Sequence, residues 1–317
     1  MGGDTSPVSF AVRPGSSASD IADDLQRAGL IRSAAAFRVQ AELRGLSSQL
    51  RVGEYELNRA MSLPEVMDTL AGGRTRRGGL VTIPEGWRAE EVAAYLQTAG
   101  VIDAAEFVEL VAGREQIDGI RLPAGASSFE GYLFPETYEF GREPTAARVF
   151  QRLTAEFERR VDPSIQANAA ERGLHLHELI TLASIIEREA VDPDERADIA
   201  AVFHNRLARG MPLQADPTTQ YALVPFGRMV DAGTYWKRVL TAADLQSSSP
   251  YNTYRVTGLP PGPICNPGLA SIVAAANPSK RPWLYFVAKG DGTGTHYFAE
   301  TLDEHLRNVA RAPRSES

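Results

Sequence analysis

The chain of 317 residues contains a single cysteine, Cys265, so it can form no intrachain disulfide and no thiolate metal cluster. The lone cysteine does not fix the compartment, since periplasmic proteins can also lack disulfides. Histidine is scarce as well. The five histidines, His175, His177, His204, His296 and His305, contain no His-Glu-x-x-His pattern. His175 and His177 stand two apart, a spacing that diverges on a helix, so no metal site is expected. Basic residues never form a long run, and the densest cluster, Arg74-Thr75-Arg76-Arg77, is flanked by glycines and reads as a turn. With a net charge of −7 the chain has no electrostatic footprint for nucleic acid. No apolar run approaches the ~20 residues needed to cross a bilayer. The opening run MGGDTSPVSF has neither a basic n-region nor an apolar h-region, so it is not a signal peptide. Gly-x-Ser-x-Gly, P-loop and Gly-x-Gly-x-x-Gly patterns are absent, and Cys265 has no recognisable histidine partner; these nucleophile and nucleotide chemistries are therefore set aside.

What is present is an ordinary globular composition, 43% apolar and 23% charged, which excludes wholesale disorder and is long enough for two domains. An internal repeat lies early. VRPGSSASDIADDLQRAGLI (12–31) aligns without gaps to IPEGWRAEEVAAYLQTAGVI (83–102), with Gly15/Gly86, Ala22/Ala93, Leu25/Leu96, Gln26/Gln97 and Gly29/Gly100 among the identities. Each copy reads as a short strand, a glycine turn, an amphipathic helix and a glycine C-cap. The glycine-rich run 71–79 reads as a linker. IRLPAGASSFEGYLFPETYEF (120–140) reads as a long irregular segment of the kind that often carries function. The second half alternates amphipathic helices with Pro/Gly-dense loops, and WLYFVAKGDGTGTHYFAE gives a strong β-hairpin signal. Without a regular βαβ rhythm, the expected class is α+β.

Two constellations attract attention. In ITLASIIEREAVDPDE (180–195), Leu179, Leu182, Ala183, Ile186 and Ala190 form one apolar stripe, and Glu187 and Glu189 lie on its opposite borders. Periodicity cannot rank the two. Glu187 stands above the small Ala183 and Ser184, which leave room for a ligand, whereas Glu189 stands above Ile185 and Ile186. A carboxyl half-sunk at an apolar border has its proton affinity raised, as a general acid requires. The second constellation joins LQADPTTQY, with Gln214, Asp216, Thr218 and Tyr221, to YNTY, with Tyr251, Asn252, Thr253 and Tyr254. Asp216-Pro217 has the form of a helix N-cap followed by N1 proline. YNTY reads as a strand with alternating faces, and aromatic rings with amides suit sugar recognition.

LASIIEREA, VFHNRL, MPLQADPTTQYAL, YNTYRVTGLPPGPICNPG and LYFVAKGDGTGTHYFAET, in that order, closely resemble the YceG-like family of bacterial endolytic murein transglycosylases, and FEGYLFPETY resembles a further signature upstream. The resemblance runs from about residue 10 to 310. It implies a lyase that cleaves the β-1,4 bond between N-acetylmuramic acid and N-acetylglucosamine in nascent glycan strands, leaving 1,6-anhydro-muramic ends and terminating elongation. It implies Glu187 as the single acid–base, with Glu189 dispensable. Gln214, Asp216, Thr218, Tyr221, Tyr251, Asn252, Thr253, Tyr254 and Asn266 would hold the sugar. No cofactor and no metal are implied. The expected layout is a flexible 1–7, an α/β module at 8–78, a second LysM-like module at 79–120, a mixed α+β catalytic domain at 121–312 and a flexible 313–317. The partners implied are peptidoglycan glycan strands and peptidoglycan synthases of the penicillin-binding class. The resemblance also implies a single-pass anchor in the cytoplasmic membrane, with this chain as the soluble domain on its outer side. A muramidase-type hydrolase, using Asp216 or Glu189 as second carboxylate, and a non-catalytic peptidoglycan-binding scaffold are the competing expectations.

Overall fold

The α1 helix (Ala18–Arg27) starts where Ser17 and Asp20 reciprocate: Ser17 Oγ accepts from Asp20 N at 3.2 Å, and Asp20 Oδ2 accepts from Ser17 N at 2.9 Å. The chain leaves α1 through Gly29, whose φ of +69° suits glycine, and Leu30 N returns to Leu25 O at 3.0 Å. These details come from a computed structural model that describes residues 6–13, 16–46, 50, 53–71, 80–113, 117, 119–141, 144–224, 234–237 and 239–312. From residue 72 onward the expected linker lies outside the described residues, as do 1–5 and 313–317.

The chain divides into two units, one formed by Met1–Thr82, Ala93–Phe107 and Thr137–Val149, the other by Ile83–Val92, Val108–Glu136 and Phe150–Ser317. In the first unit, β1 (Val8–Val12), α1, α2 (Ala34–Leu43) and β2 (Gly53–Leu57) precede α3 (Leu63–Ala71). The strands pair antiparallel with Phe10 opposite Tyr55. Phe10, Leu25, Phe37, Tyr55, Met67 and Leu70 share one buried apolar core.

The second repeat copy has the same order: β3 (Leu80–Thr82), α4 (Ala89–Thr98), α5 (Ala104–Val111) and β4 (Thr137–Glu139), with Val81 opposite Tyr138. The aligned glutamines perform one task in both copies. Gln26 Oε1 accepts from Ala34 N at 2.6 Å and Gln97 Oε1 from Ala104 N at 3.0 Å, so each caps the first amide of the following helix. The copies part at the turn before the first helix, where Arg88 replaces Ser17. Glu91 Oε2 still accepts from Arg88 N at 2.9 Å, but residues 83–92 are counted with the second unit. Strand β4 lies beyond residue 120, where the second module was expected to end.

The next elements are α6 (Ala146–Arg160), α7 (Pro163–Ala170), α8 (Leu176–Glu189), α9 (Arg196–Ala208), α10 (Asp216–Leu223), α11 (Leu269–Ala276), β5 (Tyr285–Ala288), β6 (His296–Ala299) and α12 (Leu302–Arg311). Helix α8 packs against α7, α9, α10 and α11. Every residue from Leu179 to Ile186 is buried, so the middle of α8 is enclosed on all sides and the expected single stripe is corrected. Strands β5 and β6 form the expected hairpin, with Phe286 opposite Phe298. YNTY is a turn, not a strand, which corrects the alternating-face expectation. The architecture is mixed α+β, mostly helical with two-stranded sheets.

Candidate active site

The last turn of α8 carries both glutamates, and they meet different surroundings. The Glu187 side chain is 8% exposed; Oε2 accepts from Gly268 N at 3.1 Å, and Oε1 lies 4.0 Å from Arg196 Nη2. The room expected above Ala183 and Ser184 is filled by the chain itself. Ser184 Oγ accepts from Ile264 N at 3.0 Å and donates to Thr181 O at 2.7 Å, while Cys265 Sγ rests 3.4 Å from Ser184 O. The small residues thus admit the Pro/Gly-dense loop 258–268, not a ligand. Glu85, exposed, lies against Gly268, where an added Cβ would stand 2.0 Å from Glu85 Cδ. Partial burial and then the Glu187 charge raise the proton affinity of Glu85, and Arg196 opposes them.

Glu189 ends the helix half-buried, and its carboxyl accepts no hydrogen bond from any described residue. Burial pushes it up to about 8, the Asp216 charge adds to the rise, and Arg188 and Arg206 oppose it. The partial negative charge of the helix C-terminus acts in the same direction as burial. A carboxyl of this kind holds its proton at neutral pH, the state that a general acid requires.

Asp216 is exposed and is the first residue of α10; the position before it, Ala215, is the cap, so the expected N-cap role is corrected. Its carboxylate turns instead to Tyr254, whose Oη donates to Asp216 Oδ1 at 2.6 Å. Burial first, then this hydrogen bond and the charges of Asp216 and Glu189, raise the Tyr254 phenol well above its ordinary range. Gln214 is exposed with φ +53°, the one positive φ among the described non-glycine residues. Arg206, on α9, joins this group from below: Nη1 donates to Leu213 O at 2.7 Å and to Gln214 Oε1 at 3.3 Å.

The other expected sugar contacts are distributed differently. Thr218, Asn252, Thr253 and Asn266 are 0% exposed, so no ligand reaches them in this structure, and the expectation is corrected for all four. Thr253 Oγ1 accepts from Ala215 N at 3.0 Å and lies 2.8 Å from Thr218 Oγ1; Asn252 Oδ1 accepts from Thr219 Oγ1 at 3.2 Å and Tyr254 N at 3.1 Å. They fasten the two loops that carry Gln214, Asp216 and Tyr254. Asn266 spends all its capacity internally, accepting from Gly131 N and Leu133 N at 3.0 Å and donating to Trp87 O at 2.9 Å and Glu130 Oε1 at 3.2 Å.

Tyr221 and Tyr251, both half-buried, pack with ring centroids 4.9 Å apart, and the Arg88 guanidinium sits 4.4 Å over the Tyr221 ring. Arg88, 1% exposed, pairs with Glu90 at 3.0 Å and donates to Tyr235 O and Val224 O at 3.1 Å. Beside them burial pushes Glu130 up to about 8, with the Glu90 charge second and Arg88 opposing. Sequence reasoning passed over Arg88, Glu130 and Arg206. The signals for them were Glu130 within FEGYLFPETY, Arg206 within VFHNRL, and the Ser17-to-Arg88 change between repeat copies.

The model of the YceG-like family matches residues 10–311. An endolytic murein transglycosylase of Bacillus subtilis (strain 168) is 35% identical over 315 residues, covering 94% of this chain and 82% of that protein. An endolytic murein transglycosylase of Streptococcus pneumoniae (strain D39) is 30% identical over 331 residues, covering 96% of this chain, which spans 58% of the streptococcal protein's length. The crystal structure of a yceG-like protein from Listeria monocytogenes superposes with a TM-score of 0.68 at 31% identity, covering 95% of this chain and 98% of that one. Matched over nearly its whole length in sequence and in fold, the chain belongs to the YceG-like family.

Proposed function

We propose that this chain is an endolytic lytic transglycosylase of murein and that Glu189, in place of Glu187, is its single acid–base. One observation carries the choice: the Glu189 carboxyl is desolvated, free of hydrogen bonds from the described residues and raised to about 8, whereas Glu187 is committed to Gly268 N–H and faces Arg196. The activity itself is supported by the family and by the names of its relatives.

In this reading the Glu189 carboxylic acid gives its proton to the glycosidic oxygen between N-acetylmuramic acid C1 and N-acetylglucosamine. The C1–O bond breaks with its electron pair staying on that oxygen, and positive charge builds on the muramoyl ring. The Glu189 carboxylate then takes the proton of the muramoyl C6 hydroxyl as that oxygen bonds to C1. The 1,6-anhydro ring closes, Glu189 regains its proton, and no water is consumed. Hydrolases ordinarily need two carboxylates because they must also activate water or form a covalent intermediate. Tyr254, half-exposed beside Glu189, and Gln214, exposed two residues before Asp216 and bonded to Arg206, hold sugar hydroxyl and acetamido groups, and Asp216 orients the Tyr254 phenol and offsets the positive charge on the ring.

The strand–helix–helix–strand order of both repeat copies supports reading them as LysM-like modules. No helix among the described residues is long and apolar enough to cross a membrane. The substrate would be nascent glycan strands, with synthases of the penicillin-binding class nearby and a separate single-pass anchor holding the enzyme on the outer side of the cytoplasmic membrane.

Asp216 beside Glu189 favours one second reading, a hydrolase in which Asp216 activates water. Mass spectrometry of digested strands separates the two, because anhydro ends are one water lighter than reducing ends. Reducing ends alone would replace the transglycosylase reading with the hydrolase.

A further inference from the structure

We infer that Arg206 is a positioning residue that holds Gln214 in its left-handed backbone conformation and so aims an exposed amide at the sugar bound beside Glu189. The inference rests on the proposed role of Glu189. Arg206 is 8% exposed and makes its contacts with backbone in preference to carboxylates. Nε donates to Leu284 O at 2.7 Å; Nη1 donates to Leu213 O at 2.7 Å, Pro212 O at 3.3 Å and Gln214 Oε1 at 3.3 Å. Its guanidinium lies 5.2 Å over the Tyr285 ring.

One planar fork thus ties the hairpin entrance at Leu284 to the segment 212–214. A lysine, with a single ammonium, cannot reproduce that fork. Gln214 is held from its other side as well, since its N–H donates to Thr253 O at 3.1 Å. A left-handed φ on a residue with a Cβ persists only where the surroundings over-determine it, and such strain gathers at functional sites. Here the surroundings are Arg206 beneath and Thr253 alongside, while the residue itself stays exposed.

Arg206 has a second effect at the same site. Its charge opposes the rise in Glu189 proton affinity, against burial and Asp216. Burial lowers the proton affinity of Arg206, and the charges of Tyr285, Tyr254 and Glu189 act to restore it. The charged and titratable groups facing Glu189 are therefore Arg188 on α8, Arg206 on α9, Asp216 on α10 and Tyr254 on the loop after residue 250.

The test uses the full chain and purified murein strands, with kcat, KM and the pH profile measured for Arg206→Lys, Arg206→Met and Gln214→Gly. Arg206→Lys is expected to raise KM about tenfold with the alkaline limb of kcat/KM unmoved, because charge remains and the fork is lost. Arg206→Met is expected to raise KM similarly and to move that limb to higher pH, because a cation that held the Glu189 proton affinity down is gone. Gln214→Gly relieves the strain and removes the amide, so it should fold at least as stably as wild type and raise KM without moving the limb. If Arg206→Met does not fold, the other two variants decide. Wild-type KM in Arg206→Lys or in Gln214→Gly overturns the inference. Glu189→Gln in the same assay separates the two ideas: undiminished cleavage there removes the proposed acid, whatever the Arg206 variants show.

Discussion

The Tyr254 hydroxyl donates to Asp216 Oδ1 at 2.6 Å, a charge-assisted bond between residues 38 apart in sequence that both lie near the Glu189 carboxyl. Tyr254→Phe deletes the donor with little change in packing. Bonds of this type are worth about 1.5–3 kcal/mol to the fold, so the melting temperature should fall by several degrees, and kcat/KM is expected to fall roughly tenfold or more because the phenol no longer reaches the sugar. Steady-state kinetics beside thermal unfolding checks both. Wild-type kcat/KM would show that the pair is idle in the reaction.

Asp216 also bears on the working pH of the proposed mechanism. With Glu189 as the proposed acid, kcat/KM should be high below about 8 and fall as pH rises through that value. Asp216 is one cause of the elevation; Asp216→Asn removes its charge and should move the falling limb to lower pH. A limb that stays in place, or moves upward, would mean that another group titrates there.

Much of the architecture was legible because its signals are local. The identical glycines and glutamines of the repeat mark turns and caps, and Gln26 and Gln97 do cap successive helices in the same way. The aromatic runs flanking GDGTG mark the hairpin. The site was less legible, for an equally physical reason. A helical wheel assumes one buried face, but α8 is surrounded by four helices and its small residues receive the loop 258–268. What distinguishes Glu187 from Glu189 is Gly268 on one side and Asp216 with Arg206 on the other, contacts from 17 to 81 residues away. Burial of Arg88 and Glu130 likewise depends on partners that no local pattern announces.

Glu130 makes the fold itself sensitive to pH. Its carboxyl keeps a proton in the folded state up to about 8, while in the unfolded chain it ionises near the ordinary value of 4.5. Between these values the folded state binds the extra proton, so this group's contribution to stability declines as pH rises across the window. Glu189 contributes with the same sign. Glu130→Gln should remove its share of the slope, on the order of 1 kcal/mol per pH unit. Urea unfolding at about pH 5.5 and about pH 7.5 tests this; wild type should lose more stability over the interval than the variant, and equal losses would contradict the assignment.

Gly131 packs where no side chain fits. It has φ +88°, and an added Cβ would stand 2.5 Å from Pro263 Cβ and 3.0 Å from Ile180 Cγ2. Proline is rigid and Ile180 is wholly buried, so neither yields easily. Gly131→Ala should destabilise by about 2–4 kcal/mol through overpacking and backbone strain. A denaturation midpoint equal to wild type would show that the loop 258–268 can move away.

The most direct measurement of the central claim is the digestion of murein strands by Glu189→Gln and Glu187→Gln, with anhydro ends counted by mass spectrometry. Glu187→Gln retains an oxygen that can accept from Gly268 N–H, so it should release anhydro ends within about tenfold of the wild-type rate. Glu189→Gln has no proton to give and should release essentially none while remaining folded. The reverse pattern, full activity in Glu189→Gln and none in Glu187→Gln, would contradict the account and return the acid–base role to Glu187.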